Sequence, residues 1–112
     1  MSDKDQGNAL AILDACSKIF RFVNGHSNAE SFYADEKSFD ATLLNFVVIG
    51  ESVSRLSESL KKQNAHIPWQ QIRQFRNLVA HDYFGVDAEE VWQIIEQHLP
   101  ELEKNIHAIL GK

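Results

Sequence analysis

Apolar side chains recur every three or four residues along almost the whole chain, which is the spacing of one face of an α-helix. Runs that alternate apolar and polar residues, as half-buried strands do, are nearly absent. The one β-branched run, Val47-Val48-Ile49, lies inside a much longer helical pattern. The pattern therefore predicts an all-α fold.

Five helical segments with short connections are predicted, and short connections favour an antiparallel bundle. Glycine after Asn24 and proline after Leu99 are typical helix-ending signals. Pro68 fits the first turn of a helix, and Asp87 can cap the start of another. The predicted segments run from about Asn8 to Val23, Ser27 to Ala34 and Lys37 to Gln63, from Pro68 through the motif described below, and from Asp87 to Gly111 with a kink or break at Pro100.

Gly50 lies in the middle of the longest predicted helix. Glycine in a helix interior costs about 1 kcal/mol relative to alanine. The residue therefore indicates either a close helix crossing, with a neighbouring backbone approaching at this point, or a glycine that is merely tolerated. The sequence leaves both interpretations open.

Composition limits the class of protein. A chain of 112 residues with 44% hydrophobic residues can build one compact core, so we expect a single domain over residues 1–112. Cys16 is the only cysteine, which excludes an intrachain disulfide, and cysteine and histidine spacings typical of zinc sites are absent. The polar, acidic N-terminal stretch does not resemble a signal peptide, and no apolar run is long enough to span a membrane. We expect a soluble, cytoplasmic protein that binds no metal.

Charge is unevenly distributed along the chain. The net charge of −5 argues against a protein that coats nucleic acid through a basic surface. Residues 55–76, however, carry five basic side chains against one acidic side chain. Any anion-binding site should lie near this segment, although its lysines could also complement a helix C-terminus and its arginines could form surface ion pairs.

The stretch RNLVAHDYFG, residues 76–85, places three functional side chains close together in the sequence. On an ideal helix Arg76 and Tyr83 lie within about 20° of one another, whereas His81 lies about 140° from Arg76. Convergence of the three requires the reach of the arginine, an irregular helix end, or a second subunit. The sequence alone does not choose among these.

These residue types suit RNA cleavage by the substrate's own 2′-hydroxyl. That reaction needs a base, an acid and a cation beside the phosphorane. His81 can transfer protons near neutral pH, and Arg76 offers a permanently charged planar fork for phosphate oxygens. Asn77 and Tyr83 could orient the phosphate or the imidazole, and Asp82 could modulate the charge. The alternative is that these are ordinary surface and capping residues.

Several motifs together resemble the HepT toxin family of HEPN-domain ribonucleases. They are Gly50-Glu51, Ile67-Pro68-Trp69, the run from Arg76 to Asp87, Trp92, and Leu99-Pro100. The likeness extends from about Leu10 to Leu110, and the order and spacing of the motifs are more specific than any one of them.

The resemblance implies a HEPN-like helical bundle that forms a homodimer, with the Arg-x4-His motifs of two subunits facing each other in a cleft. It implies an endoribonuclease toxin that uses neither metal nor cofactor, with Arg76 and His81 as the catalytic pair. It also implies a partner, a minimal nucleotidyltransferase antitoxin, which transfers AMP from ATP to the motif tyrosine, here Tyr83.

Two other classes of function stay open from the sequence. The chain could be a non-catalytic helical partner subunit that only binds and positions a nucleotidyltransferase, or it could be a purely structural bundle. The RNA substrate and the cleavage position cannot be predicted, because no base-specific pocket is recognisable.

Overall fold

The computed structural model describes residues 1–77 and 87–111, and within these ranges all regular structure is helical. This confirms the all-α prediction for the described part of the chain. The helices are α1 (Asp3–Val23), α2 (Ala29–Ala34), α3 (Glu36–Arg55), α4 (Glu58–Gln63), α5 (Trp69–Arg73), α6 (Ala88–Gln97) and α7 (Leu99–Leu110), and a 3-10 turn covers Gln74–Arg76.

Three predicted helix ends are confirmed. Helix α1 ends at Val23, and Gly25 follows with a φ of 92°, in the left-handed region that glycine adopts without strain. Asp87 caps α6, accepting hydrogen bonds from the backbone N–H groups of Glu89 and Glu90. The helix is interrupted at His98, between Gln97 and Leu99, and Pro100 lies in the first turn of α7.

Two predicted boundaries are wrong. Helix α1 begins at Asp3 rather than near Asn8, because the Ser2 hydroxyl accepts a hydrogen bond from the Asp5 backbone N–H and caps the helix. The single helix predicted from Lys37 to Gln63 is two helices, α3 and α4, because the chain turns at Leu56 and starts again from Ser57 as a new N-cap.

The break between α3 and α4 is stabilised by a residue in the first helix, Asp5. Both carboxylate oxygens of Asp5 accept hydrogen bonds from Ser57, one from its backbone N–H at 2.8 Å and one from its hydroxyl at 2.6 Å. The Ser57 hydroxyl oxygen also accepts from the Leu60 N–H, so that one side chain caps α4 and binds α1. Since the start of α1 lies beside the end of α3, these two helices run antiparallel.

The core is built around the long pair α1 and α3. Helix α7 packs on α1, α2 packs on α6 and α3, and α5 with the following 3-10 turn packs on α3. An aromatic cluster joins three of these elements: the ring of Phe32 lies 5.3 Å from that of Phe39 and 5.8 Å from that of Trp92. Among the described helices, none is both long and apolar enough to cross a membrane.

Asp5 is nearly inaccessible, with 4% of its surface exposed, and its hydrogen bonds to Ser57 hold the pKa of the carboxyl below its usual value. A lowered folded-state pKa means that the carboxylate stabilises the protein above its unfolded pKa of about 4. This stabilisation is lost as the pH falls through the folded value.

We therefore predict that Asp5→Asn lowers the free energy of unfolding by about 1 kcal/mol at pH 7, because the amide has one acceptor oxygen where the carboxylate has two, and its hydrogen bonds to Ser57 are neutral. The deficit should shrink as the pH falls below about 4. Urea unfolding of both proteins from pH 3 to pH 7 measures this. Asp14→Asn is the control, because Asp14 forms only an exposed pair with Lys18. A deficit that stayed constant across the pH range would contradict the role given to the Asp5 charge.

Candidate functional site

The segment that delivers Arg76 is a short helix that tightens at its end. Helix α5 has five residues, and the chain then becomes a 3-10 turn in which the Gln74 N–H donates to the Gln71 carbonyl and the Asn77 N–H to the Gln74 carbonyl. The prediction of one continuous helix from Pro68 through the motif is therefore wrong, because the α-helix ends at Arg73 and a 3-10 turn covers Gln74–Arg76. Of the three explanations for how Arg76 and His81 could converge, an irregular helix end is present at Arg76, the first residue of the motif.

Two aromatic side chains hold this segment in place. The Trp69 indole N–H lies within hydrogen-bond distance of the Asn64 and Lys61 carbonyls, at 3.1 and 3.3 Å, which fixes the start of α5 to the end of α4. Phe75 is 5% exposed, and its ring packs edge-on against Phe46 of α3 at 5.3 Å. The 3-10 turn is thus anchored to the core by the residue directly before Arg76.

Gly50 is the point where α3 and this segment meet. A Cβ at position 50 would lie 2.8 Å from the carbonyl oxygen of Arg73 and 2.8 Å from both the backbone nitrogen and the Cβ of Arg76. Real side chains essentially never approach so closely, and two of these atoms belong to the backbone. The close-approach interpretation of Gly50 is confirmed, and the tolerated-glycine alternative is wrong.

Arg76 extends from this contact to two polar side chains of α3. Its Nη1 atom lies 3.3 Å from Glu51 Oε1 and 3.1 Å from Ser54 Oγ. The ion pair is only partly shielded, with 30% of the Arg76 side chain and 44% of the Glu51 side chain exposed. The guanidinium is therefore held at the surface, where a ligand can reach it.

Glu51 and Ser54 are the residues around Arg76 that reasoning from the sequence did not identify as a site. In the sequence Glu51 is part of the Gly50-Glu51 motif, and no motif includes Ser54. A local signal exists, since positions 51 and 54 are three apart and so lie on one face of a helix. Nothing in the sequence indicates that Arg76 lies beside that face.

Of the other predicted site residues, the structure describes only Asn77. Asn77 directly follows the 3-10 turn and is partly buried. His81, Asp82 and Tyr83 lie outside the described residues, and their predicted roles stay predictions.

In the basic segment, residues 55–76, the lysines lie at a helix C-terminus and two of the arginines are exposed without an ion pair among the described residues. Lys61 and Lys62 occupy the last turn of α4, as a helix C-terminus favours, and Lys61 lies 3.7 Å from Glu58. Arg55 and Arg73 are exposed, and within residues 1–77 and 87–111 neither forms an ion pair. Arg55 directly follows Ser54 at the end of α3, and Arg73 lies three residues before Arg76 at the end of α5.

A second constellation, Ser31, His26 and Asp35, resembles a hydrolytic triad in composition. The His26 ring nitrogens lie 2.7 Å from Ser31 Oγ and 3.1 Å from Asp35 Oδ2. Asp35 also accepts a hydrogen bond from the Ser38 N–H at the start of α3. Hydrogen bonds from the Ser38 side chain, from His26 and from the Ser38 N–H hold the pKa of the Asp35 carboxyl below its usual value. The group joins the turn after α1 to the N-terminus of α3, which is a structural role.

No three His, Cys, Asp or Glu side chains of the described ranges are arranged to hold a metal ion. A cleft of about 240 Å³ lies between α5 and α7, with Ile72, Phe75 and Leu102 among its lining residues. It shares Phe75 with the site segment, but Arg76, Glu51 and Ser54 do not line it.

Comparison with known proteins identifies the family of the chain. A family model described as "Ribonuclease HepT-like" matches residues 12–109. A Caldanaerobacter subterraneus protein named "Putative RNase TTE0752" is 34% identical over 101 residues, which cover 90% of this chain and 89% of that protein. A Methanocaldococcus jannaschii protein named "Putative RNase MJ0127" is 31% identical, with 88% and 81% covered.

A third relative, from Thermococcus cleftensis, is named "Probable ribonuclease HepT". It is 30% identical over 74 residues, covering 66% of this chain and 67% of the relative. No solved structure is significantly similar to this chain.

The Gly50 contact leads to a prediction about stability. We expect Gly50→Ala to lower the free energy of unfolding by about 1–3 kcal/mol, because the added methyl group collides with backbone atoms that cannot rotate away. Urea unfolding measures the change. Gly7→Ala in α1 is the matched control: a Cβ there meets no atom within 4 Å, so alanine should be neutral or stabilise the helix by up to about 1 kcal/mol. Equal effects of the two substitutions would contradict the close contact.

Proposed function

The chain belongs to the HepT-like ribonuclease family, and from that premise we propose that it is the endoribonuclease toxin of a toxin–antitoxin system. In this proposal Arg76 and His81 cleave RNA without a metal. The observation that carries the proposal is the position of Arg76. Its backbone packs against Gly50, its guanidinium contacts α3, and 30% of its side chain is still exposed.

The proposed reaction is attack of the RNA 2′-hydroxyl on the adjacent phosphorus. A base takes the 2′-hydroxyl proton, the 2′-oxygen bonds to phosphorus, and the bond from phosphorus to the 5′-oxygen breaks. An acid protonates the departing 5′-oxygen, leaving a 2′,3′-cyclic phosphate. Arg76 would stabilise the negative charge that builds up on the phosphorane oxygens. His81 would transfer the protons, since imidazole titrates near neutral pH.

One histidine does not easily act as both base and acid in the same turnover. We therefore propose a homodimer in which the motifs of two subunits face one cleft, so that each cleavage event has two histidines available. Asn77 and Asp82 would support the site, by orienting the phosphate and by adjusting the local charge. Arg55 and Arg73 are exposed and belong to the same basic segment as Arg76, and this local positive charge supports binding of a polyanion by an otherwise acidic chain.

Regulation would act on the same site. We propose that a cognate minimal nucleotidyltransferase antitoxin transfers AMP from ATP to the Tyr83 hydroxyl, releasing pyrophosphate. The added phosphate would lie two residues from His81 and near Arg76, where its negative charge would repel RNA and pair with the guanidinium. The adenosine would fill the cleft.

The catalytic proposal predicts that the purified protein cleaves RNA in the presence of EDTA and releases 2′,3′-cyclic phosphate ends. His81→Ala should reduce the rate about 100- to 10,000-fold, which is the usual contribution of a general acid or base. Arg76→Ala should reduce it comparably, while light scattering still finds the dimer. The measurement is electrophoresis of a labelled RNA.

Matched controls come from the same residue types elsewhere in the chain. Arg21→Ala and His107→Ala remove an exposed arginine in α1 and an exposed histidine in α7, and should leave cleavage unchanged. If Arg76→Ala and His81→Ala cleaved RNA as fast as the unaltered protein, their assignment as the catalytic pair would be wrong. An unaltered protein that cleaves no RNA would instead favour a non-catalytic partner subunit.

The regulatory proposal predicts that co-expression with the neighbouring nucleotidyltransferase raises the intact mass by a whole number of AMP units. Tyr83→Phe should abolish the increase, because the acceptor hydroxyl is gone, and should stay toxic in the presence of the transferase. Tyr33→Phe is the control, since Tyr33 is the other tyrosine and is 57% exposed. An AMP group mapped by peptide mass spectrometry to any other residue would contradict the assignment.

A further inference from the structure

We propose that Glu51 and Ser54 are positioning residues for Arg76. They hold one nitrogen of its guanidinium, so that the edge formed by the Nε and Nη2 atoms is presented to a phosphate of the RNA. The inference rests on the proposed function, because it assumes that Arg76 binds the scissile phosphate.

The hydrogen-bond count supports a directed guanidinium. Nη1 carries two protons, and it has two acceptors within reach, Glu51 Oε1 at 3.3 Å and Ser54 Oγ at 3.1 Å. Within residues 1–77 and 87–111, Nε and Nη2 donate no hydrogen bond. These two atoms form the side edge of the guanidinium, which can donate two parallel hydrogen bonds to two phosphate oxygens.

The Ser54 hydroxyl is itself oriented. It lies 3.1 Å from the Gly50 carbonyl oxygen one turn earlier and donates its single proton there. Its lone pairs are then left to face the guanidinium, so that Ser54 acts as an acceptor for Arg76. Gly50 therefore acts on Arg76 in two ways. Its lack of a side chain lets the Arg76 backbone approach, and its carbonyl orients the Ser54 hydroxyl that contacts the Arg76 guanidinium.

A side chain fixed at both ends loses little further freedom when it binds. A free arginine side chain has many rotamers and loses conformational entropy when it is ordered. Here the Cβ of Arg76 is fixed against Gly50 and Nη1 is fixed on α3, so part of this entropy is lost on folding rather than on binding RNA. The expected benefit is in the rate of the chemical step, where an arginine displaced by about 1 Å can cost about 100-fold.

Charge and position make opposite predictions for Glu51. The carboxylate opposes the binding of a phosphate, so an effect of charge alone would make Glu51→Ala bind and cleave RNA better. Removing the Glu51 carboxylate should change the stability of the fold little, because partly exposed ion pairs are weak. A positioning role predicts instead that Glu51→Ala lowers kcat while KM stays the same or falls.

The test combines kinetics with a direct view of the guanidinium. With the full-length dimer and a short labelled RNA, Glu51→Ala should lower kcat about 10- to 100-fold without raising KM. Ser54→Ala should have a smaller effect in the same direction. Glu51→Gln, which keeps an acceptor oxygen, should retain kcat within about threefold. Glu58→Ala is the matched control, because Glu58 is an exposed glutamate paired with Lys61.

Nitrogen-15 NMR of the arginine side chains provides a readout that needs no activity. Rotation of the Arg76 guanidinium should be slow in the unaltered protein and fast in Glu51→Ala, with the signal assigned by its loss in Arg76→Lys. Unchanged kcat in Glu51→Ala, or a guanidinium that rotates freely in the unaltered protein, would overturn the inference while leaving the ribonuclease proposal intact. If the unaltered protein cleaves no RNA, the proposed function is overturned, and the contact of Arg76 with Glu51 and Ser54 then has no catalytic importance.

Discussion

The approach of the 3-10 turn to helix α3 is the contact on which the candidate site depends. It is possible because position 50 has no side chain, and because Phe75 holds the turn against Phe46 from the adjacent position. The backbone of Arg76 is thus positioned by packing, and the polar contacts of its side chain are a separate interaction. A site built in this way takes its geometry from the core, although its functional group lies at the surface.

The stability of the fold and the candidate site depend on different parts of the molecule. The long helices α1 and α3, with the aromatic cluster around Phe32, bury the apolar side chains that make folding favourable. The polar group of Glu51, Ser54 and Arg76 is partly exposed and contributes little to folding. Substitutions at the site should therefore change reactivity without unfolding the protein, which allows its function to be tested one residue at a time.

Local signals in the sequence predicted much of the fold, and distant contacts explain what they missed. Gly25, Asp87 and Pro100 act within a few residues of themselves, so the helix ends they mark could be predicted. The break at Ser57 could not, because the apolar spacing continues across it and the stabilising group, Asp5, lies far away in the sequence. For the same reason the motif identified Arg76, whereas its partners on α3 became visible only in three dimensions.

The contact between Asp5 and Ser57 also constrains the order in which the chain can assemble. Helix α4 has six residues, far fewer than an isolated helix needs to persist in water. Its N-cap serine is held by a carboxylate 52 residues earlier, so α1 must already lie along α3 before that cap is complete. Helix α4, and the start of α5 that Trp69 fixes to it, should thus form late in folding, after the two long helices have paired.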